Sequence, residues 1–187
     1  MKDEISQTFY ERNSETGDYI IQISLDRYSD IFNEWDHATY LRRDMDPELA
    51  FFLEECAEEI PMQYGLELVF YLPKRTRDLK KEEIIAGVIR RYYQFCAEVD
   101  RRSFARDAKQ QAKNALFAVG LLGVTYLSSL WEGSVLLSIA KEGLIIGSWV
   151  FLWGTISFFA FERSERTDRI KNYERLSNAK IYFRYDE

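Results

Sequence analysis

The feature that most constrains this chain is an uncharged apolar run of nineteen residues, from Gly143 to Phe161. A helix that crosses a bilayer needs about 20 apolar residues, and lengths of about 17–25 are tolerated. A second uncharged run, from Ala115 to Trp131, has seventeen residues. A chain of 187 residues offers too little other material to cover two helices that are apolar on every side. We therefore expect two transmembrane spans, 115–131 and 143–161.

Charged residues beside these runs orient them in the membrane. The linker 132–142 carries Lys141 alone against Glu132 and Glu142, and its apolar segment GSVLLSIA is expected to lie in the membrane interface. Cations are concentrated before the first span and after the second; they are Arg101, Arg102, Arg106, Lys109 and Lys113, then Arg163, Arg166, Arg169, Lys171 and Arg175. Because cytoplasmic flanks are rich in Lys and Arg, both termini are expected in the cytoplasm.

Composition outside the spans is uneven. The net charge is −6, but the first 70 residues are strongly acidic and the segment 71–113 is basic. Such asymmetry indicates an organised surface, with an anionic partner for the basic segment. The polar N-terminus predicts no cleavable signal peptide. Cys56 and Cys96 lack metal-ligand spacing, so we interpret both as small core residues in a reducing compartment.

The first hundred residues predict an α/β arrangement. Residues 1–18 form a polar lead-in, expected to be poorly ordered. Strands are predicted at Tyr19–Leu25 and Leu66–Leu72, paired in parallel through an intervening helix. That helix starts with Asp46 as its cap and Pro47 in its first position, and it ends before Pro61. Its inner face is predicted to be Leu49, Phe52, Leu53, Cys56, Ala57 and Ile60.

A second helix is predicted from about Lys81, unbroken past Lys113 and extending as far as Trp131. Its inner face is predicted to be Ile84, Ile85, Val88, Tyr92, Phe95 and Val99. The segment Lys180–Tyr185 alternates as a strand and is expected to return to the N-terminal sheet. The predicted fold class is an α/β cytoplasmic module, β-α-β-α plus a C-terminal strand, joined to a two-helix transmembrane hairpin. The module spans 19–113, the hairpin 114–161, and the returning helix and strand 162–187.

Catalytic motifs are not apparent. His37 is the single histidine and has no readable nucleophile or metal partner, so a structural or surface role is preferred. Glu54, Glu55, Glu58 and Glu59 have the spacing of a solvated helix face. No nucleotide-binding, hydrolase or metalloprotease motif occurs. We expect a protein that is not an enzyme and has no metal or cofactor, although an enzyme acting at the membrane surface remains a third hypothesis.

A basic segment supplies the predicted ligand-binding surface. It comprises Lys74, Arg75, Arg77, Lys80 and Lys81. Arg90 and Arg91 lie farther along the following helix, not on one face with Lys81, and either of them can approach the segment from a neighbouring subunit. Arginines beside tyrosines suit contacts with phosphates and stacked bases. Three interpretations stay open: pairing with the acidic half of the same module, an anionic nucleotide or nucleic acid, and lipid headgroups.

Small and hydroxyl residues interrupt the two spans. The residues predicted to line a pore or pack helices are Thr125, Ser128, Ser129, Gly143, Gly147, Ser148 and Thr155. Gly143 and Gly147 have the spacing that permits close helix approach. Because two spans alone enclose no pore, conduction would require several copies, and packing within one hairpin is the alternative.

The segments DIFNEWDHATYLRRDMDPELAFFLEE, LELVFYLP, GLIIGSWVFLWG and NYERLSNAKIYFRY resemble a family of small bacterial proteins, the membrane effectors of Hailong anti-phage defence systems. The resemblance covers most of residues 19–185. It implies an oligomeric ion channel or permeabilising effector in the bacterial inner membrane, whose opening is controlled by a nucleotide or single-stranded oligonucleotide made by a partner nucleotidyltransferase. A non-conducting, membrane-anchored binding or scaffold protein is the second hypothesis.

Overall fold

The computed structural model describes residues 8–39, 43–128 and 134–186. The chain divides into two units. The first is discontinuous in sequence and comprises Met1–Val99 together with Arg169–Glu187. The second comprises Asp100–Asp168. The first unit contains the whole sheet, and the second contains the apolar helical segments.

The sheet has four strands in the order β1-β2-β3-β4. Their bounds are Glu11–Arg12 for β1, Tyr19–Ser24 for β2, Leu66–Pro73 for β3 and Lys180–Asp186 for β4. β1 is antiparallel to β2, whereas β2 and β4 both lie parallel to β3. The predicted parallel pairing of the first two strands is confirmed, and so is the return of the C-terminal strand to the sheet.

Helices cover one face of this sheet. The chain moves from β2 to β3 to β4 in a single direction, so right-handed crossovers place the connecting helices on the same face. These are α1 (Pro47–Glu59), the start of α2 (Leu79–Ser128) and the end of α4 (Arg163–Asn178). On β2, Tyr19, Ile21 and Ile23 are buried against them, while Gln22 and Ser24 on the other face are exposed.

Helix α1 is fixed at both of its ends. The Asp46 side chain accepts hydrogen bonds from the amides of Glu48 and Leu49 at 2.9 and 3.1 Å, which confirms the predicted cap. At the other end the Arg175 guanidinium donates to the carbonyls of Ala57, at 3.0 Å, and Ile60, at 3.3 Å. Burial lowers the pKa of Arg175. A cation from α4 thus satisfies carbonyls that the end of α1 leaves open.

Three residues predicted to face the core are exposed instead. Phe52 of α1 is 44 % exposed, and on α2 Phe95 and Val99 are 67 % and 45 % exposed. The buried residues of α2 in this unit are Ile85, Val88, Ile89, Tyr93 and Ala97. The prediction failed because several helix faces carry apolar residues here, and hydrophobicity alone did not show which face meets the sheet.

The N-terminal lead-in, predicted to be poorly ordered over 1–18, is structured over 8–18. Asn13 donates to both Glu67 carboxylate oxygens at 3.1 and 2.9 Å, and Thr16 donates to one of them at 3.0 Å. Gly17 closes this loop with a φ of +76°. Glu67 lies on the face of β3 opposite the helices, and only 2 % of it is exposed. Its carboxylate needs these donors, so the segment is held against the sheet.

In the second unit α3 (Val135–Ser157) continues through a π-helical turn, Phe158–Glu162, into α4. The apolar residues from Val135, predicted to belong to an interfacial linker, are therefore the first residues of a helix. Aromatic rings connect this helical segment with α2: Phe158 of the π-helical turn stacks on Phe104 at 5.8 Å, and Phe151 of α3 meets Phe117 edge-on at 5.2 Å. These partners occur in opposite order along the two helices, so the helices are antiparallel.

Replacing each of two buried tyrosines of the sheet unit by Phe is expected to change stability in opposite directions. The hydroxyl of Tyr19 is buried and has no hydrogen-bond partner among the described residues, whereas that of Tyr93 donates to the Ala50 carbonyl at 3.4 Å. Tyr19→Phe should raise the free energy of unfolding by about 1 kcal/mol, and Tyr93→Phe should lower it by up to about 1 kcal/mol. Urea unfolding of the full chain measures both. A loss of stability in Tyr19→Phe would show that its hydroxyl has a partner.

Candidate functional site

The basic segment lies where the parallel strands end. β2, β3 and β4 run in the same direction, so their carboxyl ends meet at one edge of the sheet. β3 leads directly into a 3-10 turn, Lys74–Thr76, and then into α2. In open α/β sheets, ligands bind outside the carboxyl ends of the strands. The position is thus one at which this architecture forms binding sites.

Local hydrogen bonds shape the turn and present its cations to solvent. The Thr76 hydroxyl donates to the Pro73 carbonyl at 2.7 Å. The Asp78 side chain accepts from the amides of Lys80 and Lys81, at 3.1 and 3.3 Å, and so caps α2. The backbone hydrogen bond from Lys81 lowers the pKa of Asp78. The cations exposed in this segment are Lys74, Arg75, Arg77, Lys80 and Lys81.

Next to this turn, two tyrosines connect β4 and the segment after β2 with the start of α2. The hydroxyls of Tyr28 and Tyr185 are 2.8 Å apart, and both donate to the carboxylate of Glu82. Burial raises the pKa of Tyr185. The amide of Asp78 donates to the Tyr28 hydroxyl at 3.2 Å, and the Arg77 guanidinium lies 5.6 Å from the centre of the Tyr185 ring.

Sequence reasoning missed this tyrosine cluster. Its members lie 54 to 157 positions apart, and only the folded sheet brings them together. One signal in the sequence was Tyr185, the last tyrosine of a predicted strand whose side chains alternate between the two faces of the sheet. The cluster fixes β4 against the start of α2, and it places a carboxylate among the cations predicted to bind an anion.

Arg90 and Arg91 do not belong to the same patch. Both are exposed on α2, nine and ten residues after Lys81. At 1.5 Å per residue this is about 14–15 Å along the helix. Lys81 lies 3.5 Å from the carboxylate of Asp78, which belongs to the basic segment itself and not to the acidic half of the module. The patch that the structure assembles is therefore the segment from Lys74 to Lys81.

No family model, curated protein or solved structure matches this chain. Five exposed cations at the carboxyl edge of a parallel sheet, next to the first turn of a helix, favour an anion with several negative charges. The carboxylates of Asp78 and Glu82 lie among them and limit the net positive charge.

The hydroxyl residues of the predicted spans are bonded to backbone carbonyls. Thr125 donates to Leu121 at 2.9 Å, and Ser128 donates to Thr125 at 2.8 Å. Ser148, with none of its surface exposed, donates to Leu144 at 2.7 Å. Such bonds to the helix's own carbonyls satisfy a hydroxyl without water. Ser129 lies outside the described residues.

Thr155 differs, because its hydroxyl also contacts α2 of the same chain. Its hydroxyl donates to the Phe151 carbonyl at 3.1 Å and to the Gln111 carbonyl of α2 at 3.3 Å. Near the far end of the pair, the Lys141 ammonium donates to the Ser128 carbonyl at 2.7 Å. These contacts favour packing within one chain over an exposed polar lining.

The glycines of the predicted spans do not bring helices together within one chain. A Cβ atom built at Gly143 or Gly147 would meet no atom within 4 Å in the described part of the chain. The same is true of Gly120, Gly123 and Gly154. The space that these glycines leave is therefore open, and a helix of another copy can approach there.

One helix within the described ranges is long and apolar enough to cross a bilayer. It runs from Val135 to Asn178, and its most apolar window has a mean hydropathy of 1.9 and is 17 % buried. The first predicted span, 115–131, is not among the helices that qualify, and its last three residues lie outside the described residues. Among the described residues, one helix could thus cross a bilayer by its length and composition alone.

The other residues considered from the sequence are dispersed. His37 is exposed in a loop, Cys56 is buried and Cys96 is partly buried. Within residues 8–39, 43–128 and 134–186, no three His, Cys, Asp or Glu side chains are grouped as a metal site.

The Asp78 cap predicts a stability difference that depends on pH. Since the pKa of Asp78 is lowered in the folded chain, its contribution is present above the ordinary Asp pKa and is lost as pH falls through the lowered value. Asp78→Ala should lower the midpoint of thermal unfolding at about pH 7, and the difference should shrink below about pH 4. Circular dichroism across this range measures it, with the exposed Asp26→Ala as control. A difference that is constant with pH would contradict the role of the ionised cap.

Proposed function

We propose that this protein is an oligomeric effector of the bacterial inner membrane that permeabilises the bilayer, as an ion channel, under the control of an anionic ligand. The ligand is a nucleotide or oligonucleotide that binds the segment Lys74–Lys81 on the cytoplasmic sheet unit. The observation that carries the proposal is the apolar helix of the second unit, which remains unburied in the single chain. Its role in anti-phage defence rests on the resemblance to Hailong effectors.

Lipid is the environment that suits this helix. Ile146, Val150 and Trp153 are each at least 65 % exposed, and Trp149 is 56 % exposed. Soluble monomers rarely leave so large a continuous apolar surface in contact with water. We propose the span 115–131 as the second membrane helix, because its length is within the tolerated range and α2 packs against α3.

The proposed ligand site is connected along the chain to both proposed membrane helices. α2 begins beside the basic turn and runs to Ser128 without a break. On the return path, the helical segment from Val135 to Asn178 leads directly into β4, whose Tyr185 contacts Glu82. A ligand at the basic turn would therefore touch the start of one membrane-directed helix and the strand that follows the other. This supplies a physical route for control.

Conduction requires several copies of the chain. The open glycine positions on α3 support contacts between copies. The bonded hydroxyls of Thr125, Ser148 and Thr155 support the second candidate function, a non-conducting membrane-anchored binding or scaffold protein. Conductance in planar bilayers distinguishes the two, since a scaffold carries no current under any ligand condition.

Membrane insertion has a direct test. Val150→Arg places a charge within the proposed span, at a cost of about 2.5–3.5 kcal/mol if the position is central. We expect this variant to be released from membranes by alkaline carbonate, while the wild-type chain remains in them. Val99→Arg, a matched exposed valine in the sheet unit, should be retained like the wild type. Release of the wild-type chain by carbonate would contradict a membrane span.

The ligand site has a separate test with a fluorescent single-stranded oligoadenylate of about six nucleotides as probe. Reversing Lys74, Arg75 and Arg77 to Glu should lower its affinity at least about tenfold and reduce the salt dependence of binding. Reversing Arg90 and Arg91 to Glu is the control and should have a smaller effect. Anisotropy titrations measure both.

Current through a planar bilayer, recorded with and without the same probe, then shows whether binding controls conduction. In the triple variant we expect the probe to have lost its effect on the current while insertion is unchanged. Equal losses of affinity in the two sets of variants would contradict a site confined to the basic turn. No binding by the wild-type chain would contradict control by an oligonucleotide of this type.

A further inference from the structure

The outward face of α1 carries aromatic side chains between carboxylates. Phe51 is 62 % exposed and Phe52 is 44 % exposed, although both lie on a helix whose opposite face is fully packed. Glu48, Glu55 and Glu59 share this outward face, since they follow at intervals of seven and four residues. The pattern is an aromatic stripe with acidic margins.

A cavity lies beside each end of this stripe. One cavity, of about 390 Å³, is lined by Phe9, Phe52, Cys56 and Glu59 among others, and Phe9 is 75 % exposed. The second cavity, of about 450 Å³, is lined by Asn33, Glu34, Trp35, Asp46, Pro47 and Glu48. Trp35 is 95 % exposed at its margin. We call this surface the α1 strip; it comprises Phe9, Trp35, Glu48, Phe51, Phe52, Glu55 and Glu59.

The charge of the α1 strip is of one sign. The charged side chains among the described residues that line the two cavities are carboxylates, from Glu11, Glu34, Asp46, Glu48 and Glu59. Such a surface repels phosphates and attracts cations. Exposed aromatic rings add to this, because Lys and Arg side chains bind favourably over their faces.

Single exposed apolar side chains are ordinary on a protein surface. The α1 strip differs because four large aromatic residues lie along one helix and at the two cavities beside it. Exposed apolar patches with a polar margin mark sites of association with other proteins. A carboxylate margin selects a partner whose charges are positive. The cavity beside Phe9 and Phe52 accepts its apolar side chains, and the cavity beside Trp35, which contains three carboxylates, accepts cationic ones.

We propose that the α1 strip is a docking surface for a cationic amphipathic helix of a partner protein. The helix places its apolar side chains in the cavity lined by Phe9 and Phe52 and over Phe51, and its Lys and Arg side chains meet Glu48, Glu55 and the acidic cavity beside Trp35. With thirteen residues, α1 is about 20 Å long, which matches a partner helix of similar length. This surface is distinct from the basic turn, and the proposal does not depend on membrane conduction.

A labelled peptide tests the proposal with the full chain in a non-ionic detergent. The probe is a helical peptide of about 15 residues built from Leu and Lys in an amphipathic pattern, and its control has Glu in place of each Lys. Fluorescence anisotropy gives both affinities after subtraction of binding to empty micelles. We expect binding of the Lys peptide alone, weakening as salt is raised.

Two variants of the strip separate apolar from electrostatic contact. Phe51→Ser should weaken binding of the Lys peptide about tenfold, the effect expected for an aromatic contact in an interface. Glu48→Lys with Glu55→Lys should weaken it as much and should also reduce its salt dependence. Matched controls on α2 are Phe95→Ser and Glu83→Lys, both at exposed positions of the same unit, and they should leave the affinity unchanged.

Several outcomes would overturn the proposal. One is equal binding of the Lys and Glu peptides, and another is an equal effect of the α1 and α2 variants. A third is a change in oligomeric mass in the α1 variants, measured by light scattering, since this would make a second copy of the chain the occupant. Circular dichroism of each variant confirms folding, and the exposed positions of the substitutions make loss of the fold unexpected.

Discussion

The backbone hydrogen bonds of β3 with β2 on one side and β4 on the other hold together segments that are far apart in the sequence. β3 is nearly inaccessible to solvent along most of its length, including the polar Glu67. A strand buried on both faces must satisfy every polar group that it carries. The N-terminal loop supplies donors to Glu67, and β4 adds the Lys180 ammonium at 3.4 Å. The Glu67 carboxylate on the central strand is therefore bonded both by the loop that precedes β2 and by the first residue of β4.

The same sheet unit presents two surfaces of opposite charge. The turn after β3 exposes cations, and the outward face of α1 exposes carboxylates beside aromatic rings. Because the two surfaces differ in sign, the electrostatic field of each attracts ions that the other repels. The overall net charge of −6 conceals this division. Charge averaged over the chain was therefore less informative than charge assigned to separate elements.

Local signals made much of the fold predictable. Asp46 and Pro47 marked the start of α1, and the β-branched and aromatic segments marked three of the four strands. Phe95 shows the limit of such reasoning, since an apolar residue at helical spacing was assigned to the core and lies exposed. β1 was missed because two residues carry almost no pattern, and its place depends on contacts made with β2.

Only those residues of the candidate site that are close together in the sequence could be predicted. The cations from Lys74 to Lys81 are neighbours in sequence, so their proximity needed no fold. Arg90 and Arg91 were grouped with them by composition, yet the rise of the helix carries them away. The Tyr28–Tyr185 contact joins residues 157 positions apart, and no spacing rule reveals such a pair. Long-range geometry thus decides which carboxylate shares the site.

The position of β4 has a consequence for the order in which the protein is made. The sheet unit is interrupted by Asp100–Asp168, and its last strand follows the apolar helix. On the ribosome, β2 and β3 emerge early, but the outer edge of β3 stays unpaired until the C-terminus is synthesised. The apolar segment is therefore synthesised before the strand that completes the sheet, and it must be kept from aggregating while the sheet is still open. The sheet is consequently the last part of this chain that can be completed.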